Sequence, residues 1–178
     1  MEDTQKVMQR VGHNELLFQV GMEYRFKPAL DNMIARVHGG DIGQIQMLSI
    51  REHRFPFLPK VANWNRFNRN TGGTLVEKCC HFFDLMRFII GSEPTGVIAS
   101  GGQNVNHLEE KYHGQTPDIW DNAYVVFDFA NGARAISQAS RTGASAATPG
   151  RTQRCVSMGI GESGWTDMTG PWKLAGIV

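Results

Sequence analysis

The run from Gly72 to Asp84 holds the residue types best suited to chemistry. Glu77, His81 and Asp84 fall at i, i+4 and i+7, which on a continuous helix puts all three on one face. A carboxylate one turn from an imidazole can orient the ring and raise its basicity. An imidazole that titrates near neutrality can serve as a general acid or base. Gly72-Gly73, just before this helix, would let the backbone approach a ligand closely. The same spacing also describes an ordinary amphipathic helix with a solvated Glu-His-Asp stripe, and spacing alone leaves both readings open.

A second group of candidates lies upstream. Arg54, Trp64, Arg66 and Arg69 are interleaved with aromatic residues, prolines and asparagines over residues 54–70, and Arg51 stands just before them. Such composition predicts an irregular segment, and a long irregular segment in a domain is often functional. By themselves these residues describe a polar wall with packed aromatics, although Arg and Trp can also hold hydroxyls and ring faces. A net charge of +1 gives no electrostatic case for nucleic acid or an anionic membrane. A metal reading of His53, Cys79, Cys80 and His81 is weak, because adjacent cysteines on a helix point about 100° apart and no C-x-x-C is present. Buried structural thiols fit better. Gly159 to Gly164 matches G-x-G-x-x-G, but Pro171 and the nearby chain end leave no room for the helix and acidic residue of a nucleotide fingerprint.

The elements that must position these residues can be read coarsely. Residues 2–12 predict the last turns of a polar helix, and Leu16 to Val20 a buried strand. Pro28 opens a helix with Leu30, Met33, Ile34 and Val37 on one face, stopped at Gly39-Gly40. Ile42 to Glu52 predicts a strand, and Leu75 to Ile90 one long helix ended by Gly91 and Pro94. Val97 to Ser100 and Asn122 to Phe129 predict strands, with a polar loop over 104–116 between them. Asn131-Gly132 turns the last strand into Ala133 to Ile136. The implied class is α+β, with a mostly antiparallel open sheet and helices on one face.

The chain has 178 residues, 41% of them hydrophobic and 20% charged, within the globular range. A domain near this size removes roughly 70% of its unfolded surface from water. No apolar run approaches the ~20 residues that span a bilayer. The first six residues are polar and partly acidic, unlike a secretory signal. Three cysteines, two of them adjacent, suit reduced thiols. The expected location is cytoplasmic.

The Gly72–Asp84 run resembles the glucose–fructose oxidoreductase/inositol dehydrogenase (Gfo/Idh/MocA) family, whose members share a glycine-rich turn, an acid, a histidine four residues later and an Asp three beyond. Arg25-Phe26-Lys27-Pro28 is similar to the family's strand-to-helix segment after its cofactor domain, and Gly40-Asp41-Ile42-Gly43 to the turn before its large sheet. Residues 50–57 and Trp64-Asn65-Arg66 match the myo-inositol-dehydrogenase-like subgroup. The resemblance implies oxidation of a secondary alcohol of a sugar or cyclitol with NAD or NADP. It implies His81 as acid/base, Glu77 as the group holding the ring or the substrate, Asp84 as support, and Arg51, Trp64 and Arg66 as the lining of the polyol pocket, with Tyr24 and Arg25 in the same wall. It also implies that the other sheet face can form a homo-oligomer. Glu77 stands where the family usually has Asp, and Cys79 where it usually has Gly. The family's nucleotide loop and its Glu-Lys-Pro motif have no counterpart here, so the N-terminal Rossmann domain is expected to be absent. Residues 1–14 then read as a remnant of the preceding helix and linker, 15–138 as a truncated substrate and dimerisation domain, and 139–178 as a weakly ordered tail. No nicotinamide cofactor is expected to bind this chain alone. A non-catalytic binding or dimerisation module that keeps a polyol pocket is the alternative.

Overall fold

The computed structural model describes residues 2–13, 17–141, 160–161 and 164–165. In chain order these form helix α1 (Glu2–His13), helix α2 (Pro28–His38), strand β1 (Met47–His53), helices α3 (Asn68–Thr71), α4 (Gly73–Glu77) and α5 (Cys80–Ile90), and strands β2 (Pro94–Gly102), β3 (Asn122–Phe129), β4 (Arg134–Ser140), β5 (Ile160–Gly161) and β6 (Gly164–Trp165). Short 3-10 turns cover Glu23–Phe26 and Val61–Arg66. The main sheet has the order β1-β4-β3-β2. β2–β3 and β3–β4 are antiparallel, and β1 joins β4 in parallel. The α+β, mostly antiparallel open sheet is therefore as expected, and α5 lies against β1 and β4.

The core follows from two periods meeting. In α5, Phe82, Leu85, Met86, Ile89 and Ile90 repeat at helical spacing, and all are buried. In β3 and β4 the alternate residues Ala123, Val125, Phe129, Ala135 and Ala139 are buried. The alanines on β4 let the helix approach closely, while Leu48 and Ile50 of β1 and Ile34 and Val37 of α2 close the sides. Burying each large apolar side chain contributes roughly 1.5–3 kcal/mol. Pro28 sits in the first turn of α2, as its missing N–H permits. α5 ends at Gly91 in the left-handed conformation. The β3–β4 turn closes with Gly132 N donating to Phe129 O at 2.9 Å, with Gly132 at φ 87°. The positive φ is what calls for glycine there.

Four expectations need correction. Residues 17–20 form no strand, and Leu17 is 98% exposed. The apolar run gave no information about a ladder partner, and the register of the sheet offers it none. β1 begins at Met47, not Ile42, because its partner β4 begins at Arg134. Residues before it are spent in turns through Gly40 and Gly43, both at positive φ. The helix expected over 75–90 is two helices, broken at Lys78 and Cys79. Finally, β4 continues through Ser140 and Arg141 is buried, so order extends past residue 138. The rest of the expected tail, beyond 141, lies outside the described residues except for β5 and β6.

Candidate functional site

The break between α4 and α5 shapes the site. Lys78 N and Cys79 N both donate to Thr74 O at 3.1 Å, so the second bond spans five residues rather than four. The widened turn drives Cys79 fully into the core. Burial first, and the nearby Glu52 carboxylate second, push its thiol up to about 12. Single wide turns of this kind recur at functional sites. One consequence is that Glu77 and His81 are no longer one regular helical turn apart. Glu77 Oε1 instead accepts from Lys60 Nζ at 3.1 Å, and its Oε2 is buried without a hydrogen-bond partner. His81 Nδ1 is likewise buried and unpartnered.

Gly72 and Gly73 have a packing reason. Both have positive φ, near 73° and 70°. A Cβ on Gly72 would meet the Val76 side chain at 2.7 Å, and one on Gly73 would collide with Asn68 Oδ1. Their surroundings are this chain's own side chains, and the pair serves to turn α3 into α4.

Tyr24 is the plate on which the site is built. It is buried in the 3-10 turn before α2. Its ring stacks on Phe82 at 5.3 Å and lies tilted against His81 at 5.4 Å. Lys78 Nζ donates to its hydroxyl at 3.0 Å. Lys27 Nζ stands 3.7 Å from its ring centroid, and Lys78 Nζ stands 5.2 Å from it. Next to it, Arg25 holds Asp84 in a two-pronged pair, with Nε to Oδ2 at 2.7 Å and Nη2 to Oδ1. That hydrogen bond raises the Arg25 pKa, against the opposing effect of burial. Asp84 thus pins the Tyr24 turn to α5.

The upstream candidates divide. Trp64 is 41% exposed with Lys60 Nζ at 5.2 Å from its ring, on the same side as Glu77's partner. Arg66 is only 2% exposed and is committed, donating to Phe57 O at 3.0 Å and to Glu110 Oε2 at 3.2 Å. It ties two loops together rather than lining an open wall. Arg51 is exposed on β1 between the inward-facing Ile50 and Glu52, so strand alternation sends it to the sheet face away from α5 and His81.

Sequence reasoning missed Lys27, Lys60 and Lys78, and a buried charge cluster behind Glu77. In that cluster Glu52 and Arg141 are each 6% exposed, with Glu52 Oε1 and Arg141 Nε and Nη1 lacking hydrogen-bond partners. Arg54 Nη1 lies 3.7 Å from Glu52. Burial pushes the Arg141 pKa down, opposed by Glu52 and then Glu77. Lys60 and Glu77 are 17 residues apart, so no local period could pair them.

The residues do not fit a dinucleotide. Ile160 and Gly161 pair antiparallel with Trp165 and Gly164, so these four residues of the G-x-G-x-x-G region lie in paired strands. Gly73 opens a five-residue helix that follows α3, not a strand. Among the described residues no glycine turn joins a parallel strand to a helix N-terminus, the arrangement that cradles a pyrophosphate. No helix among them is long and apolar enough to cross a membrane.

Comparison with known proteins places this geometry. The sequence model described as "Oxidoreductase family, C-terminal alpha/beta domain", of the Gfo/Idh/MocA group, matches residues 34–155. An uncharacterised oxidoreductase of Bacillus subtilis, YrbE, is 32% identical over 79% of this chain and 38% of its own length. Inositol 2-dehydrogenase of Rhizobium meliloti is 31% identical over 81% of this chain and 39% of its own. A solved structure described as a probable dehydrogenase from Thermotoga maritima superposes with a TM-score of 0.66 at 25% identity, covering 79% of this chain and 39% of that one. The chain therefore spans well under half the length of these relatives.

Proposed function

The chain belongs to the Gfo/Idh/MocA oxidoreductase family through that family's C-terminal alpha/beta domain, and from that premise we propose that it is the substrate side of a nicotinamide-dependent dehydrogenase acting on a secondary alcohol of a sugar or cyclitol. The observation that carries this reading is the pair of buried, unpartnered acceptor-capable atoms flanking the α4–α5 break, His81 Nδ1 and Glu77 Oε2. Buried polar atoms nearly always have partners, so two orphans in the family's acid–histidine run mark where a substrate hydroxyl would be held. His81 takes the hydroxyl proton. Glu77, anchored on Lys60, accepts a bond from the substrate rather than from the imidazole. Tyr24 backs the His81 ring, and the Arg25–Asp84 pair holds Tyr24 in place. Trp64 offers a ring face at the rim. NAD or NADP is the proposed cofactor, held by residues other than those described.

The test joins a nucleotide-binding domain ahead of this one and measures oxidation of myo-inositol and of aldoses. General acid–base catalysis is typically worth ~10²–10⁴ in rate, so His81→Ala should lower turnover by about that factor. Glu77→Gln should cost more if Glu77 grips the substrate than if it only orients the ring. Wild-type turnover from His81→Ala, with an unchanged pH profile, would remove His81 from the chemistry.

A second reading, a binding or dimerisation module, is favoured by one observation. The sheet face away from α5 carries Ile98, Val126 and Ile136 in one cross-strand row, with exposed Met47 and Tyr124 beside it. An apolar row of this kind suits a second copy of the chain. Light scattering of the wild type and of Val126→Lys tests it, and a monomer at every concentration overturns it.

A further inference from the structure

We propose that Lys27, Lys78 and Tyr24 form a seat for an anionic group, carboxylate or phosphate, on the carbohydrate substrate, an inference that rests on the reading of His81 and Glu77 given above. The cluster is rich in donors, two ammonium groups and one phenol. Lys27 Nζ lies over the Tyr24 ring at 3.7 Å, and Lys78 Nζ bonds the Tyr24 hydroxyl at 3.0 Å. Because the phenol oxygen accepts from Lys78, its own O–H remains a donor without a protein acceptor among the described hydrogen bonds. His81 lies against the same ring at 5.4 Å.

Charge matching distinguishes these two lysines from the other cations around the site. Arg25 has Asp84, and Lys60 has Glu77. Among the described residues no carboxylate forms an ion pair with Lys27 or Lys78. Two ammonium groups on one ring repel each other, and the ring's negative face offsets this only in part. An incoming anion relieves the repulsion. A neutral hydroxyl can accept from the same donors, but those bonds are weaker than charge-assisted ones to an anion, and its own O–H meets no acceptor in the cluster other than the phenol oxygen already engaged by Lys78. The unpartnered acceptors are Glu77 Oε2 and His81 Nδ1, and His81 stands beside the seat through its 5.4 Å contact with the Tyr24 ring. The arrangement selects a molecule with hydroxyls at one end and a negative charge at the other.

The test is calorimetry on the full chain with four probes: D-glucuronate, glucose 6-phosphate, glucose and inorganic phosphate. Wild type is compared with Lys27→Gln/Lys78→Gln, whose fold is checked by circular dichroism. The expected result is that one or both anionic sugars bind at least about tenfold more tightly than glucose. The advantage should disappear in the double variant while glucose binding is unchanged, and the better of the two anionic sugars identifies carboxylate or phosphate. Equal affinity for glucose and both anionic sugars overturns the seat and leaves the polyol reading intact. A preference that persists in the double variant overturns the assignment to these lysines. Inorganic phosphate binding that is lost in the double variant, with no sugar bound, supports the seat and overturns the carbohydrate reading. No binding of any probe overturns both.

Discussion

Removing Arg141 should be costly, and removing it together with Glu52 should be cheap. Both side chains are 6% exposed, and three of their polar atoms have no hydrogen-bond partner. Burial opposes the Arg141 charge, and Glu52 is the main group favouring it. The two charges therefore act on each other through space, with Arg54 Nη1 also standing 3.7 Å from the Glu52 carboxylate, and with incomplete hydrogen bonding to offset the loss of water. Breaking a buried pair by deleting one partner typically costs 3–5 kcal/mol, because the other charge is left uncompensated. Arg54 stays beside Glu52, so Arg141→Met, which keeps an unbranched apolar stem over Phe57, should lower unfolding free energy by less than that, about 1–3 kcal/mol. Glu52→Leu/Arg141→Met removes both charges and should return to within about 1 kcal/mol of wild type or exceed it. Urea unfolding followed by far-ultraviolet circular dichroism, at constant denaturant slope, gives both numbers. Additive costs in the double variant, or a cost under about 1 kcal/mol for Arg141→Met, would refute the argument that these charges depend on each other.

Three further expectations can be checked on the same protein. Met86 is 1% exposed beneath the β4 alanines, so Met86→Ala should cost about 2–5 kcal/mol by the same urea assay. Gly73→Ala combines a positive φ with a collision at Asn68 Oδ1 and should cost about 1–3 kcal/mol, while Asn68→Ala in the same background should recover part of it. The Cys79 thiol stands at about 12 against an ordinary 9.0, so the native chain should resist alkylation at Cys79 at pH 8, read by mass spectrometry after digestion. Because that folded-state value is raised, the unfolded chain loses its thiol proton first. The associated stability is full below pH 9 and declines as pH rises toward 12, and Cys79→Ala should flatten that decline.

Local periods sufficed for several elements. The 3.6-residue repeat of Phe82, Leu85, Met86, Ile89 and Ile90 marks the core face of α5, and alternation marks β3 to the residue. Gly91, Pro28 and Gly132 mark their turns because backbone geometry there excludes most other residues. The Gly-Gly, acid, histidine and Asp run pointed to the family, which the match over residues 34–155 shows. Tertiary structure decided the rest. The α4–α5 break goes with the burial of Cys79, a packing event that helical spacing cannot register, and beside it Glu77 pairs with Lys60. Asp84 found Arg25 across 59 residues, and Arg66 found Glu110 across 44. Arg51 belongs to the far face because β1 takes its register from β4, more than eighty residues downstream in sequence. Short-range order follows from which residues neighbour one another along the chain. Charge pairing and strand register depend on which surfaces meet, and only the packed core settles that.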